Sequence, residues 1–243
     1  MPRNPALLRQ HGITHVLSLT DAGRGAPEIP AELGIEHESV AIGDNPLEDL
    51  LQCLEGLCAW IGHALGHHHH HDQASPPNNL LAAQGGSGGG DGGQLPAETD
   101  TGIGIGTEDR EPRVLVHCAQ GISRSGAVVT AYVMRALGGL DYEAALSRVR
   151  ARRAVVAPNP GFADQLRLWR ELGYCVFTTT EAGAEKAAVI KMKPRYEAWK
   201  SGRGVLLSRA EQERQMVLVE RMRRIAAMYP LPAVGGGEGK LIG

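Results

Sequence analysis

Residues 113–139 read RVLVHCAQGISRSGAVVTAYVMRALGG, and this stretch decides the fold. Val114 to Val116 form a short all-apolar run, the pattern of a strand buried in the middle of a parallel sheet. Arg124 to Leu137 read as a largely apolar helix, closed by Gly138 and Gly139. A strand, a tight loop and a helix, with further helices downstream, predict an α/β architecture. The expected fold is a central, mostly parallel sheet flanked by helices.

The loop between strand and helix carries the chemistry. Its amides, including that of the small Gly121, can turn inward as a ring of donors, and the helix N-terminus behind them adds a positive dipole end. Such a concavity suits a phosphate dianion, and the planar fork of Arg124 can hold two of its oxygens at once. The same field favours a thiolate at Cys118, since comparable settings bring cysteine pKa values from about 8.5 down to roughly 3.5–7.5. Cys118 is then a candidate nucleophile toward phosphorus. The hydroxyl of Ser125 is placed to stabilise the sulfur as it leaves. The candidate phosphate-binding loop is Cys118, Ala119, Gln120, Gly121, Ile122, Ser123 and Arg124. The alternative is an ordinary turn with a chance cysteine at a strand end.

A leaving oxygen needs a proton, so a general acid must be found elsewhere. GITHVLSL (12–19) and GIEHESVAI (34–42) read as strands, each entered through a glycine. DNPLEDLLQCLEGLCAWIGHAL (44–65) then changes to helical period. Asn45 is the expected N-cap, with Pro46 at the first helical position. Loops at the carboxyl ends of parallel strands converge on one crevice, so Asp44 is the leading acid candidate. Glu48 and Asp49 are its rivals, better suited to capping the helix dipole.

Farther along, LDYEAALSRVRARR (140–153) opens a helix with Asp141 as N-cap. NPGFADQLRLWREL (159–172) opens another, with Phe162, Leu166 and Trp169 on one stripe. Residues 66–112 hold five consecutive histidines (His67 to His71) and glycine-rich runs, and are expected to be a disordered insert. The histidines read as a solvated tract, with adventitious zinc or nickel binding as the alternative. Between Lys186 and Arg224 eleven Lys or Arg face four Glu, which marks 175–243 as a basic C-terminal extension after a 1–174 domain. Within it a helix is expected over 208–229, opened by Ser208 and Glu211 as a capping box. It is read either as solvated or as docking to a partner.

The bulk numbers exclude several classes. A net charge of -2 argues against nucleic-acid binding, and no run approaches the roughly 18 apolar residues of a membrane span. Cys53, Cys58, Cys118 and Cys175 are too scattered for a disulfide framework, so an intracellular setting, cytoplasm or nucleus, is expected. Cys53 and Cys58 read as inert buried residues, with a redox partnership with Cys118 as the alternative.

These residues closely resemble the cysteine-based dual-specificity protein phosphatases of the protein tyrosine phosphatase superfamily. The family's signature is His-Cys, five residues, then Arg and Ser or Thr, and the chain has His117, Cys118, Arg124 and Ser125. Ser123 within GISRS is the dual-specificity form of the loop. The resemblance covers roughly residues 4–65 and 113–173, including PNPGFADQL (158–166). It implies a protein tyrosine phosphatase-like fold, a general acid at Asp44, and Asn159 and His117 as supports of the phosphate loop. It also implies hydrolysis of phosphotyrosine and phosphoserine or phosphothreonine on protein substrates, through a cysteinyl phosphate, with no metal or organic cofactor. The chain departs from the pattern in three places. The family usually has one more strand ahead of residue 4. The 66–112 insert interrupts the domain, at a closure cost of about 1–2 kcal/mol. The basic extension matches nothing in the family's domain. A catalytically weak phosphate-binding or scaffolding protein is therefore the alternative. An RNA triphosphatase or phosphoinositide phosphatase is a minor one, disfavoured by neutral Ala119 and Gln120.

Overall fold

The apolar run at 114–116 is a strand, but among the described residues it is a half-buried edge strand rather than the buried middle of the sheet; it pairs along a longer neighbour that takes the central place and buries its four middle residues. In the computed structural model, residues 4–66, 111–182, 187–204 and 209–230 are described. After a short helix α1 (Pro5–Gln10) come β1 (His15–Thr20) and β2 (Glu36–Ala41), and then α2 (Leu51–Ala64). Next follow β3 (Val114–His117), α3 (Arg124–Ala136), α4 (Tyr142–Arg152) and α5 (Pro160–Glu171). The extension contributes β4 (Phe177–Ala182), β5 (Ala187–Met192), α6 (Pro194–Gly204) and α7 (Arg209–Met228).

The three-stranded sheet has the order β2-β1-β3, and both pairings are parallel. In β1, Val16, Leu17, Ser18 and Leu19 are all buried, as a central parallel strand requires. Parallel pairing also brings the carboxyl ends of all three strands to one side. The chain segments that follow them hold Asp21, Asp44 and Cys118. The sheet is flanked by helices whose core includes Phe162, Leu166 and Trp169, the stripe expected on α5, together with Met134 of α3 and Leu54 and Leu57 of α2. Asp141 caps α4 through Ala144 N, as expected from sequence, and Asn159 caps α5 through Phe162 N.

The start of α2 differs from expectation. The helix begins at Leu51 rather than at Pro46. Asn45 Oδ1 accepts from Leu47 N at 2.9 Å, which closes an isolated turn instead of capping a helix. The amides of Leu50 and Leu51 go instead to Gln165 Oε1 of α5, at 2.8 and 3.1 Å. The same side chain donates from Nε2 to Glu48 O at 2.8 Å. A glutamine remote in sequence thus takes over the capping role, and residues 44–50 form a loop.

The 66–112 insert lies almost entirely outside the described residues, and so does Ser208 with its capping box. The expected helix over 208–229 is present as α7, and it docks on the chain's own α2. Gly56 makes that contact close, since a Cβ there would stand 2.4 Å from Met222 O. Met222 is buried, His63 and Tyr229 stack with centroids 3.9 Å apart, and Arg221 pairs with Glu38 of β2. An antiparallel β4–β5 hairpin and α6 precede it. Among the described residues, no helix is long and apolar enough to cross a membrane.

Gly56→Ala is predicted to destabilise the chain, although alanine is the better helix former. The methyl has no room against the α7 backbone, and overpacking of this kind costs about 1–3 kcal/mol. At about 2–4 °C per kcal/mol for a chain of this size, a thermal melt will show a drop of several degrees. An unchanged or higher melting temperature contradicts the α2–α7 packing.

Candidate active site

The loop after β3 wraps around a sulfur atom. Cys118 is buried, and its Sγ lies 3.3 Å from the Ser125 hydroxyl. Burial alone would push the thiol up. Hydrogen bonds from the Ser125 hydroxyl and from the amides of Ser125, Gly121 and Gln120 outweigh it and bring Cys118 below the ordinary thiol value. The loop turns inward at Gly121, whose φ of +68° belongs to the left-handed region that glycine occupies without strain. Arg153 Nε holds the carbonyl of that residue at 3.2 Å. The other cysteines behave oppositely. Burial pushes Cys53 well above the usual range, Cys58 up to about 12 and Cys175 up to about 11.

Arg124 opens α3 and is itself buried. Its Nη1 donates to Asp21 Oδ1 at 2.8 Å and to Ile42 O at 3.1 Å. Its Nε is buried with no hydrogen-bond partner among the described residues, and lies 3.9 Å from Asp44 Oδ2. The guanidinium is thus pinned at one end and has a donor to spare at the other. Asp21 was not among the residues singled out from sequence. Its signal was its place just past β1, at the same sheet end as Asp44.

Asp44 is within this cluster. Ser123 Oγ donates to its Oδ1 at 2.6 Å, and Asn159 Nδ2 donates to the same oxygen at 2.9 Å. The backbone N–H of Asn159 donates to Ser123 Oγ at 3.1 Å. Asn159 thereby ties the Asp44 loop, the loop after β3 and the start of α5 together. Asp49, the rival, is buried away from this cluster beneath Tyr196, whose hydroxyl donates to it at 2.7 Å.

His117 ends β3, immediately before Cys118. Its Nε2 lies 2.6 Å from Ser18 Oγ, which in turn lies 2.8 Å from His37 Nε2. Burial lowers the pKa of both imidazoles, so both are neutral at neutral pH, and the serine hydroxyl can donate to one ring while accepting from the other. Two hollows meet at Cys118. One, of about 800 Å³, runs along β3 past Val116, Val133 and Arg152. The other, of about 310 Å³, includes Asp21, Arg24 and Arg124.

Residues 105–172 match the family model for the dual specificity phosphatase catalytic domain. The chain belongs to the dual-specificity phosphatase family. Over 166 residues it is 32% identical to the dual specificity protein phosphatase MPK-4 of Drosophila melanogaster, covering 68% of this chain and 31% of that protein. Over 52 residues it is 52% identical to human dual specificity protein phosphatase 15, covering 21% of this chain and 17% of that protein. The chain thus spans less than a third of the length of either relative. Among solved structures, human DUSP28 is similar at 28% identity and a TM-score of 0.46, covering 69% of this chain and 80% of that one.

Alkylation tests the state of the sulfur. At neutral pH a haloacetamide is expected to label Cys118 and to spare Cys53, Cys58 and Cys175. The thiolate is the reactive form, so the Cys118 rate falls only as pH drops through its lowered pKa. Ser125→Ala removes one donor and moves that fall to higher pH. A Cys118 profile at or above that of a free thiol contradicts the hydrogen-bond account.

Proposed function

We propose that this chain is a phosphoprotein phosphatase that acts on phosphotyrosine and on phosphoserine or phosphothreonine through a cysteinyl phosphate. The observation that carries this reading is the sulfur of Cys118, buried yet held toward its ionised form by amides and Ser125. Arg124, with its unpartnered Nε, is the phosphate clamp. Asp44 is the acid, at the rim with a side chain 37% exposed. Exposed Ala119 and Gln120 and the half-exposed Asp44 make a shallow mouth, which supports admission of short phosphoseryl side chains as well as phosphotyrosine.

Cys118 Sγ forms a bond to phosphorus while the ester oxygen leaves with the proton of Asp44. Asp44, now a carboxylate, takes a proton from water as the water oxygen attacks the thiophosphate. The sulfur leaves as a thiolate with Ser125 as donor, and inorganic phosphate is released. A buried dianion is stabilised throughout by the loop amides and by Arg124. The family match and the names of the relatives support the class of reaction. The physiological substrate belongs to the same proposal only as a phosphoprotein.

Two substitutions test it. Cys118→Ser is expected to reduce aryl phosphate turnover to background while phosphate-ester binding persists, and full activity in that variant overturns the reading. Asp44→Ala is expected to cost roughly a hundredfold or more on phosphothreonyl peptides, with a small loss on aryl esters whose leaving group needs no proton. The wild-type turnover is expected to rise with pH as Cys118 ionises, below the ordinary thiol range. An equal loss on every substrate assigns the acid elsewhere. A chain that binds phosphate esters in both forms yet turns over none is a binding protein.

A further inference from the structure

Residues 44–50 carry the acid on a loop without helical hydrogen bonding of its own, so its shape must be imposed from outside. On one side α5 does this. Gln165 takes up the Leu50 and Leu51 amides, and Gly161 lies so near that a Cβ would stand 2.0 Å from Pro46 O. On the other side the restraint comes from α6, in the extension beyond the matched 105–172 segment. Tyr196, wholly buried, donates its hydroxyl to Asp49 Oδ2 at 2.7 Å. Lys200 Nζ lies 3.5 Å from the same oxygen and donates to Gln52 Oε1 at 3.2 Å. Arg203 Nη2 donates to Pro46 O at 3.3 Å while its guanidinium lies over the Trp199 ring at 4.2 Å.

The energetics of Asp49 show how firm this anchor is. Its side chain is 3% exposed, and from its own neighbourhood it receives the Gln52 amide at 3.3 Å. A carboxylate that deeply buried is costly unless paired, and both side chains that pair it come from α6. Burial and the adjacent Asp49 charge also push the Tyr196 hydroxyl far above its ordinary value, so it remains a donor across the working range. The two ends of the loop are therefore fixed by different means. Asp44 is held by Ser123 and Asn159, and Asp49 is held by the extension.

We infer that Tyr196 and Lys200 are positioning residues for the general acid: α6 anchors Asp49 and thereby holds Asp44 over Cys118. This rests on the reading of Asp44 as the acid. The extension is thus part of the catalytic apparatus, acting through the loop rather than touching substrate.

The test uses the full chain and two substrates, a phosphothreonyl peptide and an aryl phosphate with a strongly acidic leaving phenol. Tyr196→Phe keeps the ring stacked on Trp199 and removes the hydroxyl. Losing a hydrogen bond to a buried charge is expected to lower kcat on the peptide about tenfold, with the aryl ester and both KM values nearly unchanged. Lys200→Met, at a partly exposed position, should show the same selective pattern in weaker form. Combined with Asp44→Ala, Tyr196→Phe should add no further loss, because the acid it positions is gone. Equal losses on both substrates, or a double variant whose losses multiply, overturn the inference while leaving the acid assignment in place. If Asp44→Ala alone slows both substrates equally, the acid assignment falls and this inference with it.

Discussion

A negative sulfur placed inside a protein must be surrounded by donors, and that requirement organises this molecule. Desolvation works against the thiolate of Cys118, so the backbone has to supply what water no longer does. Three amides aim at one atom only if the chain folds back on itself, and Gly121 at positive φ makes the fold-back possible. The fold-back needs a rigid strand before it and a helix after it, which β3 and α3 provide. Parallel pairing of β3 with β1, and of β1 with β2, then brings Asp21 and Asp44 to the same end of the sheet.

One buried arginine at the same end of the sheet has a divided allegiance. Arg124 is tied by Nη1 to Asp21 and to Ile42 O, which offsets the cost of burying it. Its Nε lies 3.9 Å from Asp44 Oδ2, too long for a hydrogen bond. A phosphate arriving over Cys118 would find the guanidinium already oriented. Little conformational entropy is then left to lose, which favours catalysis by positioning.

Legibility in the sequence followed how local each cause was. The Cys118 loop, the Asp141 and Asn159 caps and the apolar stripe of α5 rest on neighbours a few residues apart, and all are readable from spacing. Residues 46–50 carry a helical pattern in sequence yet form a loop, because the helix is capped by Gln165, more than a hundred residues downstream, and no local pattern reveals that. The pairing of Asp21 with Arg124 was hidden for the same reason, although its place just past β1 was a usable clue. The β4–β5 hairpin had a local signal in Thr178–Thr180 and Val189–Ile190, set among Lys186, Lys191 and Lys193. The α7 face looked mixed because it serves two masters. Met222 and Tyr229 meet α2, while Met216 and Val217 face solvent.

The central claim is that Cys118 becomes covalently phosphorylated. Its most direct test is to mix the full chain with excess aryl phosphate, quench in acid within the first turnover, and map the phosphate by mass spectrometry. The account predicts phosphate on the sulfur of Cys118, appearing as fast as the phenol is released. Phenol release with no phosphocysteine at any time, or phosphate found on another residue, would contradict it.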